Sequence, residues 1–348
     1  MSVAFVTGAR VEAGMGLETA ELRLLGALRE SGPLDVRVVG GRGARRYARR
    51  IGARWYPARP GSSSRLAWRN TDLVHLAGLS VPPPRRGRFV ATFYDLSPLS
   101  FGDEGELPAW APETAERAER LLVPTRFVAR ELERELGVAP ERITVFSNGP
   151  GYEVSPATVP LPDGALGLSR PYVLRSGGYT ARKNVPLLLA AWPEIRRRTG
   201  ATLALAGPPQ PARATQLAAA PSLDGVVPLD YVPAPLLPGL VRGAAVLVSP
   251  STYEGFGLPP LEAMAAGVPV VAVRCEAVEE VCGGAALVVE NDPAALADAV
   301  SQVLEDEELR ARLVGAGLER AKEFSWRRSA NAVRRVYGEP SACATTSK

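Results

Sequence analysis

The sequence predicts an α/β protein made of two doubly wound domains facing a cleft. Three observations lead there. Short apolar runs alternate with runs of helical spacing along the whole chain, the pattern of parallel sheets covered by helices. The alternation falls into two series, separated by a Pro- and Gly-rich passage, Pro150–Leu168, that lacks periodicity and reads as a linker. A length of 348 residues suffices for two such cores.

In the first series the strands are expected at Val3–Thr7, Asp35–Val39, Leu73–Leu76, Phe89–Thr92, Arg120–Val123 and Ile143–Phe146, with helices such as Leu17–Glu30 and Arg126–Leu136 between them. In the second, strands are expected at Tyr172–Arg175, Thr202–Ala206, Val226–Leu229, Ala245–Val248, Val268–Val273 and Ala286–Val289. Helices fit Val185–Arg197, Leu236–Arg242, Leu258–Ala266, Pro293–Leu304 and Glu308–Glu323. A last helix, Trp326–Tyr337, follows a break at Phe324–Ser325, and the small polar residues beyond Gly338 read as frayed. Domains are therefore expected at 1–155 and 165–325. Ligands of such folds bind at the C-terminal edges of the strands.

Composition narrows the function classes. No apolar run approaches the length of a membrane span, and the opening SVAFVTG reads as a strand rather than a targeting segment. Three cysteines, Cys275, Cys282 and Cys343, show no metal-ligand spacing, so a reducing cytoplasm is expected. Only three lysines occur, Lys183, Lys322 and Lys348; the preference for arginine is what a GC-rich genome produces. His75 is the only histidine, which argues against His-rich metal sites. Residues 1–100 hold 16 arginines against seven acids, with clusters at Arg45–Arg46, Arg49–Arg50 and Arg85–Arg86–Arg88. That face is either solvated or meets an anionic acceptor or lipid headgroups at the inner side of a membrane. Nucleic acid is disfavoured, because no aromatic interleaving accompanies the charge.

Three loops can carry chemistry. The first, Gly8–Gly16, places Gly14 and Gly16 before a helix, where backbone can approach a phosphate or sugar. A short-chain reductase reading fails here. The glycine spacing after Thr7-Gly8 is wrong, and Tyr179 and Lys183 fall in a loop rather than one turn apart on a helix. The second loop, Ser176–Asn184, sets Gly178, Arg182 and Lys183 between a strand and a helix start. Adjacent cations beside glycines suit a diphosphate. The third, Ser249–Gly267, reads SPSTYEGFGLPPLEAMAAG. It offers a helix N-terminus for an anion, with Pro259 and Pro260 in the first turn. Glu254 and Glu262 suit hydroxyls, so the pattern reads as a site for a sugar carrying a phosphate.

Loops Ser176–Asn184 and Ser249–Gly267 resemble the donor site of retaining family 4 glycosyltransferases of the GT-B fold (glycosyl transferases group 1). The similarity extends along the chain. RITVFSNGP, Arg142–Pro150, resembles that family's strand and Asn-Gly turn before the linker. TFYDLSP, Thr92–Pro98, is similar to a loop of mannosyltransferase-like members. FSWRRSA, Phe324–Ala330, resembles the terminal segment that crosses back to the N-terminal domain, extending that domain by 326–340.

The resemblance implies two Rossmann-like domains and a bacterial, cytoplasmic, metal-independent hexosyltransferase with no cofactor beyond its nucleotide-sugar co-substrate. It implies that Arg182 and Lys183 hold the departing diphosphate and that Glu254 holds hydroxyls of the transferred sugar. Backbone at Gly255, Phe256, Gly257 and Leu258 would face sugar and phosphate, and Glu262 would take the ribose hydroxyls. Gly14 and Gly16 would border the donor, and base contacts would come from the stretch ending at Tyr231 and Val232. On the acceptor side it implies His75, Tyr94 and Asp95.

Tyr94 departs from the family, which commonly has histidine there; tyrosine cannot act as a base near neutral pH. Asp95 is then the group to take the acceptor proton. GDP-mannose is the favoured donor, and a glycan, glycolipid or natural product the acceptor. The alternatives are a nucleotide-sugar-binding protein with impaired transfer, for which Tyr94 speaks, and a nucleotide-sugar epimerase.

Overall fold

The computed structural model describes residues 1–8, 16–57 and 70–338. The chain divides into two units, Met1–Gly149 with the segment from Ser325 onward, and Pro150–Phe324. The division corrects the expected linker. Tyr152, Val154 and Leu161 pack against the core of the second unit, so residues 150–155 belong there rather than with the first.

The first unit runs β1 (Ser2–Thr7), α1 (Gly16–Glu30), β2 (Asp35–Gly40), α2 (Arg42–Arg50), β3 (Arg54–Pro57), β4 (Leu73–Leu76), β5 (Phe89–Thr92), α3 (Ala111–Arg117), β6 (Leu121–Val123), α4 (Arg126–Leu136) and β7 (Ile143–Val145). Its seven strands lie parallel in the order β3-β2-β1-β4-β5-β6-β7. Alternate residues of each strand face opposite layers. Val3 and Phe5 join Leu24, Leu25 and Leu28 of α1 on one side, and Ala4 and Val6 join Leu76, Phe93 and Leu132 on the other.

Helix α2 buries only Ala44 and Ala48 and exposes Arg45, Arg46, Arg49 and Arg50, so the arginine cluster has the helical spacing its sequence suggests. Strand β3 has no sequence signature because it is a short edge strand, RWYP, without a buried run. The terminal helix, labelled α12 after the second unit's helices, spans Trp326–Gly338 and belongs to the first unit. Its residues Ala330, Val333 and Tyr337 form a stripe at helical spacing in the same core as α1. Ser329 Oγ donates to the Ser147 carbonyl at 2.6 Å.

The second unit runs β8 (Tyr172–Ser176), α5 (Val185–Thr199), β9 (Thr202–Ala206), α6 (Pro211–Ala218), β10 (Val226–Leu229), α7 (Leu237–Gly243), β11 (Val246–Ser249), α8 (Leu258–Ala266), β12 (Val270–Val273), α9 (Glu276–Cys282), β13 (Leu287–Val289), α10 (Pro293–Glu305) and α11 (Glu307–Ala321). Its six parallel strands follow the order β10-β9-β8-β11-β12-β13. Leu174, Leu247 and Ala272 face one core, and Val173, Val246, Val248 and Val271 face the other. Both units are therefore doubly wound.

The strand order reverses between β8 and β11, which pair directly at Val246–Val173 and Leu247–Leu174. A reversal leaves a crevice at the strands' C-terminal ends, because the two connections leave in opposite directions. The loops issuing from those two strands are the two donor-like loops. Gly207, just after the neighbouring β9, lets the loop after β8 approach closely: a Cβ there would lie 2.0 Å from the Gly177 carbonyl oxygen.

Gly207→Ala sets side chain against backbone, which neither side can relieve by a rotamer change. We expect a loss of about 2–4 kcal/mol, read as a lower urea midpoint at unchanged m value; an unchanged midpoint would show that the approach is not required.

Candidate active site

The site begins with the two loops at the β8–β11 reversal. After β8 the chain passes Gly177 and Gly178, makes one 3₁₀ turn over Ala181–Lys183, and enters α5 through Asn184. After β11 it passes Ser251–Gly257 and enters α8. The Thr252 amide donates to the Arg182 carbonyl at 2.9 Å and ties one loop to the other. Gly257 adopts φ +98°, a left-handed value that a side chain would oppose, at the N-cap of α8; the prolines of its first turn need no hydrogen bond.

Between the loops, Glu254 is clasped by the two cations. Its Oε2 accepts from Arg182 Nη1 at 3.0 Å and its Oε1 from Lys183 Nζ at 2.5 Å, with all three side chains largely buried. The Ser251 hydroxyl adds a further hydrogen bond. Burial opposes the Glu254 charge, but the Lys183 ammonium and the Arg182 guanidinium outweigh it and hold the carboxyl at a pKa of about 2. Burial pulls the Lys183 ammonium downward against the pull of Glu254. The sequence placed cations and carboxylate at separate parts of a ligand; the structure brings them into one cluster.

Arg175, read from sequence only as a strand residue, lies beneath this cluster and is 1% exposed. It donates to the carbonyls of Gly177, at 2.6 Å, and of Gly178. Its guanidinium lies 5.1 Å from the centroid of the Tyr179 ring. Burial lowers its pKa to about 10. Its signal in the sequence is a charge inside an otherwise apolar run, YVLRS, where a strand buried on both faces should carry none. With Arg182, Lys183 and Glu254, it gives the cluster a formal charge of +2.

The other expected donor residues fall as follows. Gly178 and Gly255 are in the two loops. Phe256 turns its ring inward against Phe324, centroids 5.8 Å apart, so only its backbone borders the site. Leu258 opens α8. Glu262, on the buried face of α8, accepts from the Gly151 amide at 3.1 Å and from the Tyr152 hydroxyl. It thus anchors the start of the second unit, a role the sequence did not suggest. Val232 packs in the core, and Tyr231 stands 49% exposed. Gly16 begins α1, and Gly14 lies outside the described residues.

Two acceptor-side expectations need correction. His75 is in the central strand β4, fully buried, with Nδ1 2.6 Å from the Tyr337 hydroxyl and Nε2 2.8 Å from Thr92 Oγ1. It faces the inside of the first unit, ties α12 to the sheet, and burial lowers its pKa to about 3. Tyr94 packs edge-on to Phe146 in the core, its hydroxyl buried without a hydrogen-bond partner among the described residues. Burial, with Glu21 and Tyr337 nearby, raises its pKa well above the usual value. Both side chains are buried. Asp95 is half-buried, and its Oδ1 accepts from the Ser97 amide at 3.1 Å and hydroxyl at 2.7 Å, which fixes the turn after β5. Among the described residues no helix is long and apolar enough to cross a membrane. Cys275 and Cys282 are buried, and burial raises their thiols to about 11 and about 12.

The two doubly wound units have the GT-B glycosyltransferase architecture. Residues 16–150 match the family model described as Glycosyltransferase Family 4, and residues 170–306 match that described as Glycosyl transferases group 1. The chain is 30% identical over 299 residues to alpha-maltose-1-phosphate synthase of Mycolicibacterium smegmatis, covering 77% of this chain and 76% of that protein. It is 32% identical over 273 residues to D-inositol 3-phosphate glycosyltransferase of Salinispora arenicola, covering 69% and 60%. It is 48% identical over 99 residues to O-antigen chain mannosyltransferase B of Escherichia coli, covering 28% and 26%. These last two matches span three-fifths and about a quarter of the relatives' lengths. Among solved structures, HepE of Anabaena in complex with UDP-glucose superposes with a TM-score of 0.74 at 15% identity, over 97% of this chain and 100% of that one. The chain belongs to the family 4, group 1 glycosyltransferases.

Two outcomes follow from the geometry. In proton NMR the single imidazole keeps its neutral chemical shifts from pH 8 down to pH 5, because His75 titrates only near 3. The unfolded chain takes up that proton below about 6.5, so His75 lowers stability as the pH falls from about 6.5 toward 3. An imidazole titrating near 6.5 in the folded protein would contradict its burial. For Glu254 the depressed pKa means a stabilising contribution complete above about pH 4.5 and lost as the pH falls through about 2. Glu254→Gln, which leaves two largely buried cations uncompensated, should cost about 2–4 kcal/mol at pH 7 in urea unfolding; a neutral effect would mean that the cluster is solvated.

Proposed function

We propose that the protein is a retaining glycosyltransferase that moves a hexose from a nucleoside diphosphate sugar to a hydroxyl acceptor without a metal ion. The observation that carries this reading is the cluster of Arg182, Lys183 and Glu254 at the strand reversal of the second unit. Two largely buried cations beside the start of α8 form an anion site with fixed charges, and such charges act most strongly where negative charge develops in the reaction.

Glu254 neutralises one of the two charges. A diphosphate arriving at Arg182 and Lys183 competes for both, which frees the carboxylate to accept hydrogen bonds from hydroxyls of the transferred sugar. As the bond to the anomeric carbon breaks, the leaving β-phosphate oxygen gains charge and the cations hold it more tightly. They take the part that a divalent cation plays in metal-dependent transferases.

GDP-mannose remains the favoured donor, supported by the TFYDLSP segment and by the short stretch shared with a mannosyltransferase. The relatives and the superposed structure carry names that involve inositol phosphate, maltose phosphate and UDP-glucose, so UDP- and other sugar nucleotides belong in the test. On the acceptor side Asp95 is the carboxylate proposed to take the acceptor proton. The exposed arginines of α2 suit an acceptor that carries negative charge.

The test is nucleotide release and product formation with GDP-, UDP- and dTDP-sugars and a panel of glycan and polyol-phosphate acceptors. Lys183→Ala should lower turnover by about 10²–10³-fold. Glu254→Gln should lower turnover comparably yet keep or tighten binding of the free nucleoside diphosphate, because the cluster's formal charge rises by one. Unchanged turnover in both variants would remove the assigned roles.

A further inference from the structure

Arg175 is a fully buried cation that forms no ion pair among the described residues. An isolated buried charge is costly, and folds retain one where something compensates it. Here its direct partners are two backbone carbonyls and one aromatic face, with the Glu254 carboxylate acting at longer range. Those carbonyls belong to Gly177 and Gly178, successive residues of the loop that leads to Arg182 and Lys183. The next carbonyl, of Tyr179, accepts from Gln216 Nε2 at 2.8 Å, and the Tyr179 amide donates to Gln210 Oε1 at 2.5 Å. Three consecutive carbonyl oxygens are therefore engaged by internal donors. Carbonyl oxygens facing an anion would repel it. Arg175 also interacts electrostatically with Glu254 and Lys183.

We infer that Arg175 is a positioning residue for the nucleoside diphosphate: its buried guanidinium turns the Gly177 and Gly178 carbonyls away from the anion and adds a third cation to the Arg182–Lys183–Glu254 cluster. The inference rests on the reading of that cluster as a diphosphate site. It assigns to a strand residue the shape of the loop and part of its field. A diphosphate brings further negative charge to a cluster whose four side chains sum to a formal +2.

The experiment compares wild type, Arg175→Lys and Arg175→Met by isothermal titration with UDP and UMP, and with GDP and GMP. The ratio of diphosphate to monophosphate affinity is the readout, because loss of folded protein changes both affinities alike and leaves the ratio fixed. The ratio should fall about tenfold or more in Arg175→Met, the scale of losing one well-placed charge. In Arg175→Lys it should fall less, since an ammonium keeps the charge but lacks the planar fork for two carbonyls. If Arg175→Met does not fold, the fall in Arg175→Lys decides. Variants that bind and keep the wild-type ratio overturn the role of Arg175 and leave the diphosphate site standing. A wild type that binds none of the four nucleotides overturns the site and this role together.

Discussion

The ion pair between Lys183 and Glu254 joins two loops whose residues lie 71 positions apart in the chain. It forms because β8 and β11 are neighbours in the sheet although two further strands, β9 and β10, intervene in sequence. That reversal leaves a crevice, and the crevice receives the polar ends of both loops. Much else serves the same place: Gly207 lets the first loop lie close to β9, Arg175 holds its glycines, and Gly257 turns the second loop into α8. A carboxylate between two cations is also a poised arrangement. Both cations have a hydrogen-bonded carboxylate partner, yet one carboxylate balances only one of them, so the proposed diphosphate would exchange with it at a site that keeps a net positive charge.

The first unit is organised around a different buried polar contact. His75 bridges Tyr337 on the terminal helix and Thr92 on β5, so the last helix is fastened through the centre of the sheet as well as along α1. Burial keeps the imidazole neutral, and a neutral ring suits two hydroxyl partners because one nitrogen accepts and the other donates. Tyr94 is buried in the same core, against Phe146. What a strand-end position suggests about a side chain therefore depends on which layer it faces.

Much of the architecture is legible in the sequence, and for a physical reason. Leu73–Leu76, Phe89–Thr92, Thr202–Ala206 and Val226–Leu229 match their apolar runs residue for residue, as do the helices Arg126–Leu136 and Leu258–Ala266. These segments are bounded by strong signals: Thr125 caps the first of those helices, and Gly137 and Gly267 end the two of them in left-handed conformation. Strand β3 and helices α3, α6 and α9 carry weaker signals: β3 is an edge strand, and each of these helices is only seven or eight residues long, too short to display a period. In the site, Arg182, Lys183 and Glu254 were legible from residue type and loop position. Their mutual pairing was not, because it depends on strand order, which no local pattern encodes. Arg175, Glu262 and His75 show the same limit. Glu262 and His75 owe their roles to partners far along the chain, at Gly151–Tyr152 and at Tyr337, and Arg175, whose carbonyl partners Gly177 and Gly178 are close in sequence, meets the field of Glu254 only through the strand order.

In the proposed reaction a nucleoside diphosphate takes Lys183 from Glu254. The scarcity of lysine makes this directly observable: with 15N-labelled lysine the chain has only three side-chain ammonium groups, at Lys183, Lys322 and Lys348. Titration with GDP or UDP should shift the Nζ resonance of Lys183, assigned by its loss in Lys183→Arg, and leave the other two in place. A Lys183 resonance that stays fixed while the nucleotide binds would contradict the account.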